Sequence, residues 1–376
     1  MRLDIHDDAG SFAALAQPWD ALHLRAGLLG PFNRFGWQFD WWSALGQGRS
    51  LRLVVARKAG AVVGLMPLFE EPGPVRTLAL VGSRGGGGDF LDVIASDDDV
   101  RRGLLAHAVA ALRPDALRLD DLLETSPTVP IAFAISKGRA VVSARYPCPY
   151  LDLRSPGPAR PRAETLGRRE RWLTALPGHR VDVETSASAC ASFLERFRRL
   201  HEARWEADGG SQAFADGRLW HLHRRSMERF ADEGRLRLWT LSVAGEAVAV
   251  AWTFDDGRRS LYYQCGFSPA WSARSVGGVL LARYLEDARQ RGVEEVDFLR
   301  GAEAYKREWT RTARRTVRVF WPLTAKAAVA ETAGRLLDAG RRHARRVLPP
   351  AVAVPLTRAW RAARTHRGQH HSEERT

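Results

Sequence analysis

The fold of this chain is decided by the stretch from Leu261 to Trp321, which opens with the apolar run LYYQCGF (261–267). RSVGGVLLARYLEDARQRG (274–292) follows, and its amphipathic spacing predicts a helix. EEVDFLRG (294–301) predicts a second strand, and AEAYKREWT (302–310) predicts a short helix that carries a tyrosine and a lysine. This order of elements predicts a βαβ unit.

The predicted helix begins in a way that is typical of an anion site. It is entered through Ser275, Gly277 and Gly278, and its first turn contains no acidic residue. Such a start leaves several backbone N–H groups unpaired at the positive end of the helix dipole. We therefore expect an anion to bind there.

The composition sets the class of protein. The chain has 376 residues, of which 45% are hydrophobic and 27% are charged. This length and composition predict a globular protein of two domains of ordinary size. No apolar run approaches the roughly 20 residues that span a bilayer. MRLDIHDDAGSF, the first 12 residues, lacks the pattern of a signal peptide. The three cysteines are scattered and odd in number, so we expect free thiols, no metal site and a cytoplasmic location.

The net charge of +14 is unevenly distributed. Residues 322–376 contain 11 Lys/Arg and four Asp/Glu, so their net charge of +7 is half of the net charge of the chain. A basic tail of this kind can bind an anionic membrane surface at the inner face, RNA or an acidic partner. A solvated basic helix with a frayed end explains the same composition. Only four of the 57 basic residues are lysines, and one of them, Lys306, lies in the deciding stretch.

The order of predicted elements divides the chain into two similar halves and a tail. We predict a first domain over 1–154, a proline-rich linker over 155–165, a second domain over 166–325 and a basic helical tail over 326–376. Each half is predicted to contain a strand, helices, a strand meander, a further helix and a strand after it.

This order resembles the GNAT acyltransferase fold, and its tandem form resembles the CelD-like and FemAB-like branch. The resemblance covers most of residues 30–321 and is clearest in DFLRGAEAYKREW (297–309), with further matches in FGWQFDWW (35–42), GDFLD (88–92) and LHEARW (200–205). It implies an α/β (α+β) fold of two tandem GNAT-like domains. Each would be a mixed, mostly antiparallel sheet flanked by helices.

The resemblance also implies a donor site. Acetyl-CoA or another acyl-CoA would lie between LYYQCGF and VDFLRG, with its diphosphate on the glycine-entered helix. The implied cofactor-binding residues are Tyr263, Gln264, Cys265, Arg274, Ser275, Val276, Gly277 and Gly278. The predicted diphosphate site departs from the family pattern in two ways. The second glycine comes one position early, and Val279 replaces a small residue.

Candidate catalytic residues follow from the same resemblance. Tyr305 lies where a tyrosine commonly protonates the departing thiolate, although a packing role explains a tyrosine equally well. Glu303 either deprotonates the acceptor or pairs with Lys306, and Ala302 replaces an aspartate common in the branch. His201 is a second candidate base. The candidate substrate-binding residues are Arg204, Trp205, Asp297, Arg300 and Lys306. For Asp297 and Arg300 a structural salt bridge is the alternative.

The first half is predicted to lack a donor site. Its glycine run, Gly85–Gly88, is followed by Asp89 rather than a lysine, which favours a flexible turn over a phosphate loop. Its later helix begins with Asp97, Asp98 and Asp99, whose carboxylates occupy the anion position. We therefore expect a structural or acceptor-binding copy.

Three functions agree with these patterns. The first is acyl-CoA-dependent transfer to an amino or hydroxyl group of a sugar, polysaccharide precursor or small metabolite. The second is FemAB-like transfer from an aminoacyl-tRNA, which the basic character would suit. The third is a non-catalytic accessory role in polysaccharide synthesis.

Overall fold

A computed structural model describes residues 1–155, 161–206 and 217–347. The strands of the first half are β1 (Arg2–His6), β2 (Ser50–Lys58), β3 (Ala61–Glu71), β4 (Thr77–Leu80), β5 (Ile94–Ala95), β6 (Ala116–Leu123) and β7 (Val141–Asp152). Its helices are α1 (Ala9–Ala14), α2 (Ala16–Ala26), α3 (Phe35–Leu45), α4 (Asp98–Leu112) and α5 (Thr128–Ile135).

The second half follows the same plan. Its strands are β8 (Arg180–Glu184), β9 (Leu236–Val243), β10 (Glu246–Asp256), β11 (Arg259–Phe267), β12 (Glu295–Asp297) and β13 (Ala313–Pro322). Its helices are α6 (Pro161–Thr174), α7 (Cys190–Glu206), α8 (Gly217–Asp232), α9 (Val276–Gln290) and α10 (Ala304–Arg307), and α11 (Ala325–Val347) follows β13. Helix α6 begins inside the predicted linker, of which residues 156–160 lie outside the described residues.

One continuous sheet runs through both halves in the order β1-β2-β3-β4-β6-β13-β7-β12-β11-β10-β9-β8, and β5 pairs with β3. The two meanders correspond, because β4 is parallel to β6 and β11 is parallel to β12. The last strands are exchanged between the halves. β13 lies beside β6, and β7 pairs with β12. The first half therefore contributes a strand to the second half's βαβ unit.

Helix α9 covers the second half's core because its apolar residues recur every three or four positions. Val276, Leu280, Tyr284 and Ala288 are buried on that face. Tyr284 contacts Trp239 of β9 edge to face at a ring distance of 5.6 Å. The fold class predicted from the sequence, an α/β arrangement of a mixed sheet flanked by helices, is confirmed.

Two compact units account for the chain, Met1–Trp321 and Pro322–Thr376. In the second unit α11 is helical, as the pattern of residues 326–347 predicts. The rest of the predicted tail, 348–376, lies outside the described residues. Among the helices that are described, none has the length and apolar character to cross a membrane.

Candidate active site

A wedge opens between β11 and the chain that follows β12. The parallel pairing of these strands ends at Leu261 opposite Asp297. β11 then continues along β10 to Phe267. The chain after β12 instead follows β7, because Phe298 N–H donates to the Pro149 carbonyl at 2.9 Å. The two strands consequently diverge, which is the geometry that the resemblance implies for a donor site.

A β-bulge on β11 lies at the mouth of this wedge. Trp252 of β10 pairs with Gln264 and Thr253 pairs with Tyr262, so Tyr263 is the extra residue. The Tyr263 ring turns towards the first half, where its hydroxyl donates to the Gly86 carbonyl at 3.0 Å. The Tyr262 ring packs on the opposite side, against the core beneath α9. The bulge thus separates two adjacent tyrosines onto different walls.

The first of two neighbouring cavities has a volume of about 260 Å³ and lies at the N-terminus of α9. Its lining comprises Tyr262, Cys265, Gly266, Phe267, Ser272, Ser275, Val276, Gly277, Gly278, Tyr305, Glu308 and Trp309. We call it the donor cavity. It contains the predicted residues Cys265 and Ser275 to Gly278.

The start of α9 is shaped to leave its backbone donors available. Ser275 adopts a left-handed conformation with φ of 52°, and its side chain forms no capping hydrogen bond to the helix. No acidic residue lies in the first turn. Val279, whose size departs from the family pattern, is buried in the core with 1% of its surface exposed. Its branched side chain therefore points away from the anion position.

The second cavity has a volume of about 310 Å³ and lies on the other side of Tyr305. Its lining comprises Gly87, Asp89, His201, Tyr262, Tyr263, Gln264, Cys265, Phe298, Leu299, Arg300, Glu303, Tyr305 and Lys306. We call it the acceptor cavity. Tyr262, Cys265 and Tyr305 line both cavities. Most of the predicted site residues thus line one cavity or the other, on either side of a junction formed by these three side chains, whereas Arg274 lines neither.

Lys306 fixes the short helix α10 beside this junction. Its side chain is 5% exposed, and its Nζ donates to the Arg300 carbonyl at 2.8 Å and lies 3.0 Å from the Glu303 carboxylate. The Glu303 side chain is 49% exposed, so its carboxylate is both paired and open to the cavity. Gly301 has φ of 112°, and a side chain there would collide with that carboxylate. Both alternatives predicted for Glu303 remain compatible with this geometry.

The first half supplies one wall of the acceptor cavity. Arg300 Nε donates to the buried Asp89 carboxylate at 2.6 Å, and its Nη2 donates to the Gly88 carbonyl. Burial raises the pKa of Asp89, and Arg300 opposes that shift. Asp121, 3.8 Å from Arg300, has its pKa raised to about 6 by burial. Arg300 therefore joins the halves through a buried ion pair.

The glycine run is closely packed against the second half, which a flexible turn would not be. Gly86 and Gly87 have φ of 81° and 73°, a region that favours glycine. A Cβ on Gly87 would lie 2.6 Å from the Tyr263 hydroxyl oxygen. Trp41 Nε1 donates to the Gly85 carbonyl at 3.0 Å. Sequence reasoning missed Gly87 and Asp89 as cavity residues, because only the fold brings them to β11.

Some predicted residues lie away from the cavities. Asp297 is buried beneath the wedge, where it accepts from Arg314 at 2.9 Å and from Leu299 N–H at 2.7 Å. Burial raises its pKa to about 7. This is a structural ion pair, and the substrate-binding role predicted for Asp297 gains no support. The side chains of Arg204 and Trp205 lie outside the described residues.

No second centre is found among the other side chains that the structure describes. Among the described residues, no group of three or more His, Cys, Asp and Glu side chains is placed to hold a metal ion. A shallower concavity of about 640 Å³ follows α8 and is lined by charged residues of that helix. Its arginines are paired, Arg224 with Glu228 and Arg229 with Asp40. This is a solvated helix face.

Comparison with known families agrees with the geometry of the second half. Residues 160–307 match the model of the "Acetyltransferase (GNAT) domain". The matched stretch runs from α6 to α10 and contains β11, α9 and β12. No curated protein matches the chain.

Solved structures share the fold across both halves. A conserved protein of unknown function from Bacteroides thetaiotaomicron has a TM-score of 0.58 at 10% identity, covering 85% of this chain and 100% of its own. FemX has a TM-score of 0.54 at 11% identity, and the match covers 86% of this chain and 98% of the FemX chain. L-PGS from Bacillus licheniformis has a TM-score of 0.53 at 12% identity, and the match covers 88% of this chain and 96% of the L-PGS chain. At these identities the likeness concerns the fold alone.

Proposed function

We propose that the chain is an acyl-CoA-dependent acyltransferase whose reaction takes place at Tyr305. The observation that carries the proposal is the junction of the two cavities. One cavity begins at an uncapped helix N-terminus, the other contains Glu303 and His201, and Tyr262, Cys265 and Tyr305 line both. A donor and an acceptor bound in these cavities would meet at that junction.

The donor cavity suits an acyl-CoA. The first N–H groups of α9 and its dipole would bind the diphosphate. The pantetheine arm would then enter the wedge beyond Leu261 and pair with the backbone of β11. A β11 N–H would polarise the thioester carbonyl as negative charge develops on its oxygen.

The chain's own side chains would then move two protons. An amine or hydroxyl of the acceptor attacks the thioester carbon, the new C–N or C–O bond forms, and the C–S bond breaks. Tyr305 would give its proton to the departing thiolate. Glu303 would take the acceptor's proton, and His201, which lines the same cavity, is the second candidate base.

The acceptor cavity limits the acceptor to a compact polar group. A volume of about 310 Å³ lined by Gln264, Arg300 and Glu303 fits an amino or hydroxyl group of a sugar, a polysaccharide precursor or a small metabolite. The CelD-like resemblance supports the first two of these acceptors.

Transfer from an aminoacyl-tRNA is the second candidate. FemX and L-PGS share the fold with TM-scores above 0.5, and the net charge of +14 would suit an RNA donor. Both candidates place the carbonyl at the same junction. They differ in the donor that binds α9.

Replacement of Tyr305 by Phe tests the proposal. We expect Tyr305→Phe to lower kcat by about 100-fold, because a positioned general acid typically contributes 10²–10⁴-fold. Acetyl-CoA should still raise the denaturation temperature of this variant, since the ring is kept. Tyr150→Phe is the control, because Tyr150 lines neither cavity. Its ring instead packs under the Arg314 guanidinium at 3.8 Å.

The assay follows free thiol release from acetyl-CoA and longer acyl-CoAs with amine and sugar acceptors. Unchanged turnover by Tyr305→Phe would remove Tyr305 from the mechanism. If no acyl-CoA protects the wild-type chain against heat while an aminoacyl-tRNA does, the donor is the RNA.

A further inference from the structure

An exposed aromatic and cationic group lies beside the donor cavity. The Arg274 guanidinium lies over the Trp172 ring at 3.8 Å. Trp172 and Trp271 have ring centroids 6.5 Å apart with planes inclined by 54°. Trp172 is 39% exposed, and Arg274 is exposed. We call these three residues the Trp172 cluster. Trp172 therefore keeps a part of its apolar surface in water, which packing does not use.

The cluster is fixed in position relative to α9. Leu166 and Leu173 of α6 are 2% and 0% exposed and belong to the core beneath α9. Glu170 of α6 forms an ion pair with Arg283 of α9. A helix anchored by two buried leucines and an ion pair presents its other side chains at defined places.

Helix α6 also brings a cation to the start of α9. Arg169 donates to the Ser275 hydroxyl, at the residue that enters the helix without capping it. Arg274 is the residue immediately before Ser275. Two arginines and an exposed tryptophan thus surround the outer end of the donor cavity.

The chemistry of this group suits a nucleotide. Indole and guanidinium planes stack on nucleobases, and the guanidinium also binds phosphate through paired N–H groups. A diphosphate on the first turn of α9 would leave the adenosine of an acyl-CoA outside the cavity. Trp172 and Arg274 lie on that outer side, next to Ser275.

We infer that the Trp172 cluster binds the adenine base of the donor, and that Arg169 binds one of its phosphates. This inference rests on the proposed acyl-CoA function and adds to it the recognition of the nucleotide end. It also assigns a binding role to α6, which precedes the strands and helix that form the two cavities.

The experiment compares ligands that differ only in the nucleotide. Affinities of the full chain for CoA, dephospho-CoA and 4′-phosphopantetheine are measured by calorimetry and by quenching of tryptophan fluorescence. We expect CoA to bind about tenfold or more tightly than phosphopantetheine, since base stacking on an aromatic residue typically contributes that much. Arg169→Ala should weaken both ligands.

Trp172→Ala separates this role from packing. It should lower the affinity for CoA about tenfold and leave the affinity for phosphopantetheine unchanged. Trp172→Phe should recover most of the lost affinity. Equal weakening of both ligands, or of neither, would overturn the inference. If an RNA ending in CCA displaces CoA from the wild-type chain but not from Trp172→Ala, the adenosine comes from RNA and the CoA assignment is wrong.

The wild-type chain distinguishes two kinds of failure. Binding of phosphopantetheine with no gain from the nucleotide would contradict the Trp172 cluster as a base site and leave the proposed function standing. Absence of binding by phosphopantetheine and CoA alike would contradict the proposed function itself.

Discussion

The corresponding helices of the two halves, α4 and α9, begin in opposite ways. Asp97 caps α4, its carboxylate accepting from Val100 N–H at 2.8 Å, and Asp98 and Asp99 follow in the first turn. In α9, Ser275 forms no cap and the first turn holds no acid. The same position in the fold is closed by the chain's own carboxylates in one half and left open in the other.

The first half has a different part in the site. Its strand β7 accepts hydrogen bonds from the chain after β12, at the Pro149 and Pro147 carbonyls. Its glycine run and Asp89 form a wall of the acceptor cavity. One copy of the unit thus presents a free helix end, and the other copy supports it.

Making α9 resemble α4 should have the largest effect. Gly277→Asp places a carboxylate in the first turn and a side chain near the Phe267 ring, which lies 3.4 Å from the Cβ position. We expect acetyl-CoA affinity to fall more than about 100-fold, because negative charge and bulk both oppose the diphosphate. Gly340→Asp in α11, with open space around it, is the control. Unchanged affinity in Gly277→Asp would place the donor elsewhere.

The packing around His223 in the second half should become less stable in acid. His223 of α8 is buried against Trp252 and Tyr263, and burial lowers its pKa from 6.5 to about 4. The unfolded chain therefore takes up a proton that the folded chain resists. The stabilisation is complete above pH 6.5 and is lost as pH falls towards 4, by about 3 kcal/mol.

Urea unfolding between pH 7.5 and 4.5 measures this loss. Between pH 7.5 and 4.5 the free energy of unfolding should fall by about 3 kcal/mol less in His223→Phe than in the wild type, which is the His223 contribution. His221→Phe, exposed on the same helix, should lose as much as the wild type. An equal loss of unfolding free energy between pH 7.5 and 4.5 in wild type and His223→Phe would show that another group causes the acid sensitivity.

Loss of the ion pair between the halves should cost less. Asp89→Asn leaves Arg300 without its buried partner. We expect a loss of about 2 kcal/mol in the free energy of unfolding, below the value for a fully buried pair because Arg300 is 31% exposed. Glu70→Gln, whose partner Arg76 is 48% exposed, should cost about 0–1 kcal/mol. Similar values for the two variants would mean that the Asp89 pair has no special role.

The smallest effect should come from opening α4. Asp97→Ala removes the cap and should cost about 1 kcal/mol of stability. Acetyl-CoA affinity should stay at the wild-type value, since α4 would bind no donor. A second binding site in Asp97→Ala would show that only the cap keeps the first half from binding CoA.

Local patterns predicted much of this fold. The spacing of Val276, Leu280 and Tyr284 predicts α9 and its buried face, and the glycines predict its open N-terminus. The meander strands follow from apolar runs between turn residues. These features depend on residues close in sequence, so periodicity and turn chemistry are sufficient.

Contacts between distant residues were beyond the sequence. The exchange of β7 and β13 depends on pairing between strands more than 140 residues apart. The contact of Asp89 with Arg300 joins residues 211 positions apart. Val279 departs from the family pattern in the sequence, and only the fold shows that its side chain is buried in the core. The sequence left substrate binding and a structural salt bridge as alternatives for Asp297, because its burial beside Arg314 is a property of the folded sheet.

Calorimetric titration of the full chain with acetyl-CoA tests whether the donor binds at the N-terminus of α9. We expect saturable binding of one molecule per chain that is lost in Gly277→Asp and kept in Asp97→Ala. Two molecules per chain, no binding, or binding that survives Gly277→Asp would contradict the assignment of the donor site to α9.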